Sequence, residues 1–118
     1  MFKILVVDDD TDILELYRQE LEGEGYTVIL AESGEVALSV VKEHHPHLVT
    51  LDILMPGLDG IETLKKIKEY NPRLPVVICT AYDYMDNFNV WASDEYVVKS
   101  SDLTELKDTI KRLLEECY

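Results

Sequence analysis

Five residues of this chain carry side chains that could do chemistry together: Asp8, Asp9, Asp52, Thr80 and Lys99. Asp52 is the conspicuous one. It stands in the run LVTLDILMPGL (48–58), among Leu48, Val49, Leu51, Ile53, Leu54 and Met55, where a carboxylate is costly unless something nearby wants its charge. Asp8 and Asp9 close a second apolar stretch, KILVVDD. If the three carboxylates meet, each pair at ~4 Å repels by roughly 4 kcal/mol at an effective dielectric near 20. Such a cluster either protonates or takes up a hard cation. With oxygen ligands alone, and some waters, Mg²⁺ is the natural occupant. Lys99 adds a positive charge and Thr80 a hydroxyl donor, which makes a place for a group with several anionic oxygens. A phosphoryl group fits best.

Whether these residues meet depends on the elements that carry them. KILVVD (3–8) is a short continuous apolar run rich in branched residues, as a buried strand requires. From Asp12 to about Glu22, Ile13, Leu14, Tyr17 and Leu21 share one helical face, and Gly23 and Gly25 stop the pattern. Asp10 belongs to the start of that helix, where an acid suits the dipole. YTVILA (26–31) is a second strand. The next helix is entered through Ser33 or Gly34, with Val36, Ala37, Val40 and Val41 inward, and Pro46 marks its end. HLVTLD (47–52) is a third strand, and MPGLDG (55–60) a turn-rich loop. Ile61, Leu64 and Ile67 line a helix that stops by Asn71-Pro72, before a fourth strand, PVVICT (75–80). EYVV (95–98) is a fifth strand. Leu103, Leu106, Ile110, Leu113 and Leu114 stripe a last helix, for which Asp102 with Glu105 three residues on is the expected cap.

Strands that alternate with helices, each continuously apolar, imply a parallel sheet covered on both faces. In such a sheet all the C-terminal strand ends lie on one edge. Asp8 and Asp9 end the first strand, Asp52 the third, Thr80 the fourth and Lys99 the fifth. Open α/β sheets bind ligands in the crevice on that edge. Taken singly, each residue has a blander use: a helix-capping acid, a strand-end threonine, a surface lysine. Five of them on one rim are more than independent placement supplies.

The chain has 118 residues, enough for one domain with a real core. It is 47% hydrophobic and 30% charged, a globular rather than a disordered composition. With 24 acids against 11 bases the net charge is −13, which argues against holding nucleic acid or an anionic membrane through this domain's own field. Cys79 and Cys117 make no disulfide framework, the usage of a reducing compartment. MFKILVVDDD has only four apolar residues, Ile4 to Val7, before its acids; it is neither a signal peptide nor a membrane span. A cytoplasmic location is the expectation.

The residues resemble the receiver domain of two-component response regulators over essentially the whole chain. The motifs that carry the likeness are ILVVDDD (4–10), LDILMPGLDG (51–60), VVICTA (76–81) and YVVKSSDL (96–103). Each is weak alone; their order and spacing together are specific. The resemblance implies a single α/β receiver domain over 1–118: a three-layer, doubly wound, five-stranded parallel sheet in the order 2-1-3-4-5 with five helices, flavodoxin-like or CheY-like. It implies that Asp52 is the phosphoacceptor, and that Asp8, Asp9, Asp52 and the backbone carbonyl of Leu54 hold Mg²⁺. It further implies that Thr80 and Lys99 grip the phosphoryl oxygens, and that Tyr96 turns inward as Thr80 moves. The phosphodonor would be a histidine kinase or a histidine phosphotransfer protein, docking on the exposed side of the first helix and the loop after Lys99. A homodimer is among the assemblies the family forms. Leu54 and Tyr82 occupy positions that tune water access in the family, and both are bulky here, so slow self-dephosphorylation is expected.

The chain departs from the family in two places. Ser100 follows Lys99 where the family commonly has proline after a cis bond, which without proline costs about 3–4 kcal/mol. Only 18 residues, 81 to 98, separate Thr80 from Lys99, short of the family's span by about one helical turn. The segment YDYMDNFNVWASDE (82–95) is also poor in helix formers, so the fourth helix is expected to be short, displaced or mobile. His44, His45 and His47 lie before the third strand, on the edge opposite the acids, and read as helix-ending residues rather than as metal ligands.

Two other functions compete with a phosphoacceptor signalling domain. One is a receiver-like module that signals by contact alone, against which intact Asp52, Thr80 and Lys99 speak. The other is an aspartate-nucleophile phosphohydrolase, which needs an acid two residues after the nucleophile; Leu54 is there instead. Both a stand-alone regulator and a piece of a longer one are compatible with the sequence.

Overall fold

KILVV, TVILA, LVTL, VVICT and EYVV are too short for helices and too apolar for surface loops, and each forms a strand. The computed structural model describes residues 2–52, 60–80, 95–98 and 103–118. In chain order they are β1 (Lys3–Val7), α1 (Thr11–Gly23), β2 (Thr27–Ala31), α2 (Gly34–His44), β3 (Leu48–Leu51), α3 (Gly60–Tyr70), β4 (Val76–Thr80), β5 (Glu95–Val98) and α4 (Thr104–Cys117). The strands form one sheet in the order β2-β1-β3-β4-β5, all neighbours parallel. The described residues hold four helices. The stretch 81–94, where a short, displaced or mobile fourth helix was expected, lies outside them, as does the Lys99-Ser100 bond.

Successive strand residues point to opposite faces, so each strand feeds two cores. Leu5, Val7, Val49, Leu51, Val76 and Ile78 pack with Ala37 and Val41 of α2 and Leu64 and Ile67 of α3. Ile4, Val6, Leu48, Val77, Cys79 and Val97 pack on the other face with Leu14, Tyr17 and Leu21 of α1 and Leu106, Ile110 and Leu113 of α4. Burial on both sides explains why the strands read as unbroken apolar runs.

Local chemistry sets the helix ends. Asp10 caps α1: its Oδ1 accepts from the amides of Asp12 (2.9 Å) and Ile13 (3.4 Å). The Ser33 hydroxyl caps α2 by accepting from the Val36 amide at 3.2 Å. His45 closes α2 in the left-handed conformation, φ 49°, and Pro46 follows, which cannot continue a helix. Leu103 precedes α4 and supplies no side-chain cap bond, because leucine has no acceptor; Asp102 lies outside the described residues.

Candidate functional site

Val7 at the end of β1 and Leu51 at the end of β3 are register partners, so Asp8 and Asp52 leave the sheet side by side. The Asp52 amide still donates to the Val7 carbonyl at 3.0 Å, and the Asp8 amide to the Ala31 carbonyl at 3.1 Å. The ladder thus continues one residue past each strand, and that fixes where the two carboxylates emerge. Asp8 is 2% exposed and Asp52 6%, while Asp9 is exposed. One carboxylate oxygen from each of Asp8, Asp9 and Asp52 can be chosen so that all three lie within 4.8 Å of one another.

The three consecutive acids divide their work. The Asp10 carboxylate turns to the amides of α1, while Asp8 Oδ1 accepts from the Asp10 amide at 3.0 Å. The positive end of the α1 dipole therefore begins beside the cluster and offsets part of its repulsion. Oxygen donors alone, two of them buried, suit a hard cation. Around Mg²⁺, with bonds of roughly 2.1 Å, opposed ligand oxygens stand about 4.2 Å apart. A group already within 4.8 Å reaches that by side-chain settling, so the residues fit the ion.

The other expected site residues fall as follows. Thr80 ends β4 and is paired with Val98, which ends β5, so both strands finish on the edge that carries Asp8 and Asp52. Tyr96 lies in β5 opposite Ile78. Lys99, Leu54 and Tyr82 lie outside the described residues. Among the described residues the acids form the one group of three or more potential metal ligands, and the histidines are not in it. His44 and His45 end α2, as expected of helix-ending residues. His47 does something else: its Nδ1 accepts from the Lys3 amide at 2.9 Å.

A contact that the apolar periodicity did not signal lies under this rim. The Tyr17 hydroxyl of α1 is 3.1 Å from Cys79 Sγ of β4, with either atom able to donate. Burial pushes the Tyr17 phenol well up from its ordinary value, and Cys79, Asp8 and Asp52 push it further. By pattern both residues are merely core positions; nothing local marks them as partners.

The chain matches the sequence profile of the response regulator receiver domain over residues 4–111. It is 38% identical over 117 residues to sporulation initiation phosphotransferase F of Bacillus subtilis, covering 95% of this chain and 93% of that protein. It is 44% identical over 115 residues to the transcriptional regulatory protein ZraR of Klebsiella oxytoca, covering 94% of this chain. The chain spans only 26% of the length of that regulator. Among solved structures it is similar to the response regulator TrrA of Thermotoga maritima in complex with Mg(2+)-BeF. The TM-score there is 0.93, with 44% identity over 96% of this chain and 99% of that one. TrrA bound to the histidine kinase ThkA superposes with a TM-score of 0.92 over 97% of this chain and 99% of that one, again at 44% identity.

Proposed function

The chain belongs to the response regulator receiver domain family, and on that footing we propose that Asp52 is its phosphoacceptor. A carboxylate oxygen of Asp52 attacks the phosphorus of a phosphohistidine on a histidine kinase or histidine phosphotransfer protein. The P–O bond forms in line as the P–N bond breaks; the departing nitrogen keeps the electron pair, and Asp52 becomes an aspartyl phosphate. Asp8, Asp9, Asp52 and the backbone carbonyl of Leu54 would hold Mg²⁺, which when bound would supply positive charge against the phosphoryl oxygens. Thr80 donates its hydroxyl to those oxygens and Lys99 pairs with them. Tyr96 turns inward as Thr80 moves, and the surface near β4 and β5 changes with it. Attack by water on the acyl phosphate resets the switch.

One observation carries this reading: the carboxylates of Asp8, Asp9 and Asp52 converge at the ends of β1 and β3. The complexes of TrrA with Mg(2+)-BeF and with a histidine kinase support the choice of cation and donor. Incubation with Mg²⁺ and acetyl phosphate, followed by intact mass, is the test. A phosphoryl adduct is expected on the wild type and none on Asp52→Asn. No adduct on either would favour a module that signals by contact alone, and rapid turnover without an adduct a phosphohydrolase.

The chain would form a single receiver domain of three layers over 1–118, acting as a relay or as the receiver part of a longer regulator, with a homodimer as its candidate assembly. No helix among the described residues is long and apolar enough to cross a membrane. Neither Cys79 nor Cys117 is in a disulfide, in keeping with a cytoplasmic setting.

A further inference from the structure

We propose that Tyr17 is a positioning residue for phosphoryl transfer, its hydroxyl bond to Cys79 setting where the end of β4 stands relative to Asp52. The inference rests on the phosphoacceptor reading above.

Tyr17 and Cys79 are each 3% exposed, lie 62 positions apart in sequence and approach to 3.1 Å between hydroxyl and sulfur. Both belong to the apolar core cluster that includes Ile4, Val6, Leu14, Val77 and Val97. Burial of a hydroxyl among such residues gains nothing over a phenylalanine unless the hydroxyl finds a partner. What the pair adds is direction: it fixes one point of α1 against one point of β4, which apolar contact does not do.

Both ends of the bond lead into the site. From Asp8 and Asp9 the chain passes through the Asp10 cap into α1, and Tyr17 follows about two turns later. Cys79 immediately precedes Thr80. Leu51 is paired with Ile78, so Cys79 stands level with Asp52. Asp8 and Asp52 are near enough for their charges to act on the Tyr17 hydroxyl. Loss of the bond leaves the three carboxylates in place but frees the end of β4 that carries Thr80. Cation binding should then survive while transfer slows.

The rate of adduct formation from acetyl phosphate and the Mg²⁺ half-saturation concentration are measured on the full chain. The variants are Tyr17→Phe, Cys79→Ala and Cys79→Ser, with Leu113→Ala as a control for lost stability in the same core. Tyr17→Phe and Cys79→Ala should each slow phosphorylation by about tenfold, less than the ~10²-fold that a full 1 Å misplacement costs. Their Mg²⁺ half-saturation should stay within about twofold of wild type, since no metal-holding oxygen is touched. Cys79→Ser, which can still bond the phenol, should recover most of the rate. Tyr17→Phe at the wild-type rate, Cys79→Ser as slow as Cys79→Ala, or Leu113→Ala as slow as Tyr17→Phe would each overturn the proposal. A wild type that takes no phosphoryl group overturns the phosphoacceptor reading and this inference with it. A wild type that takes it, beside an unaltered Tyr17→Phe, overturns the inference alone.

Discussion

At the residue scale, Asp52 is 6% exposed and follows Leu51, which is fully buried, and a carboxylate so placed is sustained by what surrounds it. Asp8 from the adjacent strand end and Asp9 beside it add to the repulsion, the N-terminus of α1 offsets part of it, and a bound cation would offset more. The same scale governs how long phosphate would stay. We expect Leu54 and Tyr82, both bulky, to keep water from the acyl phosphate. Replacement of both by small polar residues, Leu54→Asn with Tyr82→Ser, should shorten its lifetime by about tenfold, a change of roughly 1.4 kcal/mol in the hydrolysis barrier. Loss of the adduct followed by intact mass after removal of donor checks this; an unchanged lifetime would refute it.

At the element scale, the edge opposite the acids is held by a clasp around His47. Its amide donates to the Lys3 carbonyl at 2.8 Å and its Nδ1 accepts from the Lys3 amide at 2.9 Å. Its ring meets Phe2 and Tyr118 edge-on, each at 5.2 Å. The Tyr118 hydroxyl donates to the His47 carbonyl at 2.9 Å. The start of β1, the start of β3 and the end of α4 thus close on one imidazole, which must be neutral at Nδ1 to accept. Burial lowers the His47 pKa from 6.5, and the N-terminal amine and Lys3 lower it further. With the folded value below the unfolded one, the unfolded chain binds the extra proton first. The clasp's contribution is complete above the unfolded value of about 6.5 and is lost as pH falls toward the folded value. Urea midpoints should therefore drop between about pH 7.5 and pH 5.5, and drop less in His47→Gln. Equal slopes for the two proteins would count against the clasp.

At the scale of the whole molecule, a net charge of −13 makes the compact state repel itself, and the three converging acids concentrate that repulsion at one rim. A divalent cation that binds the folded rim and not the unfolded chain must stabilise the fold by mass action. Mg²⁺ at about 100 times its dissociation constant should raise the unfolding free energy by ~2.7 kcal/mol. Asp8→Asn should lose most of that gain while folding normally without Mg²⁺, since one partner in the repulsion has gone. Urea unfolding with and without Mg²⁺ decides it, and an equal gain in both proteins would place the ion elsewhere.

The alternation of apolar runs with amphipathic stretches is written in the chain, because burial on two faces demands unbroken Val, Ile and Leu, as in KILVV and LVTL. Parallel strands share one C-terminal edge, so the meeting of Asp8, Asp9 and Asp52 was legible from that alternation. The place of Asp10 at the start of α1 was legible too, as an acid suited to the helix dipole; that it caps the helix came from the structure. At the start of α4, Leu103 makes no side-chain cap bond, and Asp102, the expected cap, lies outside the described residues. The Tyr17–Cys79 bond and the His47–Lys3 pairing belong to tertiary structure alone. They join residues 62 and 44 positions apart. Periodicity tells which side of an element faces inward; which inward group another one meets is decided by how the elements pack.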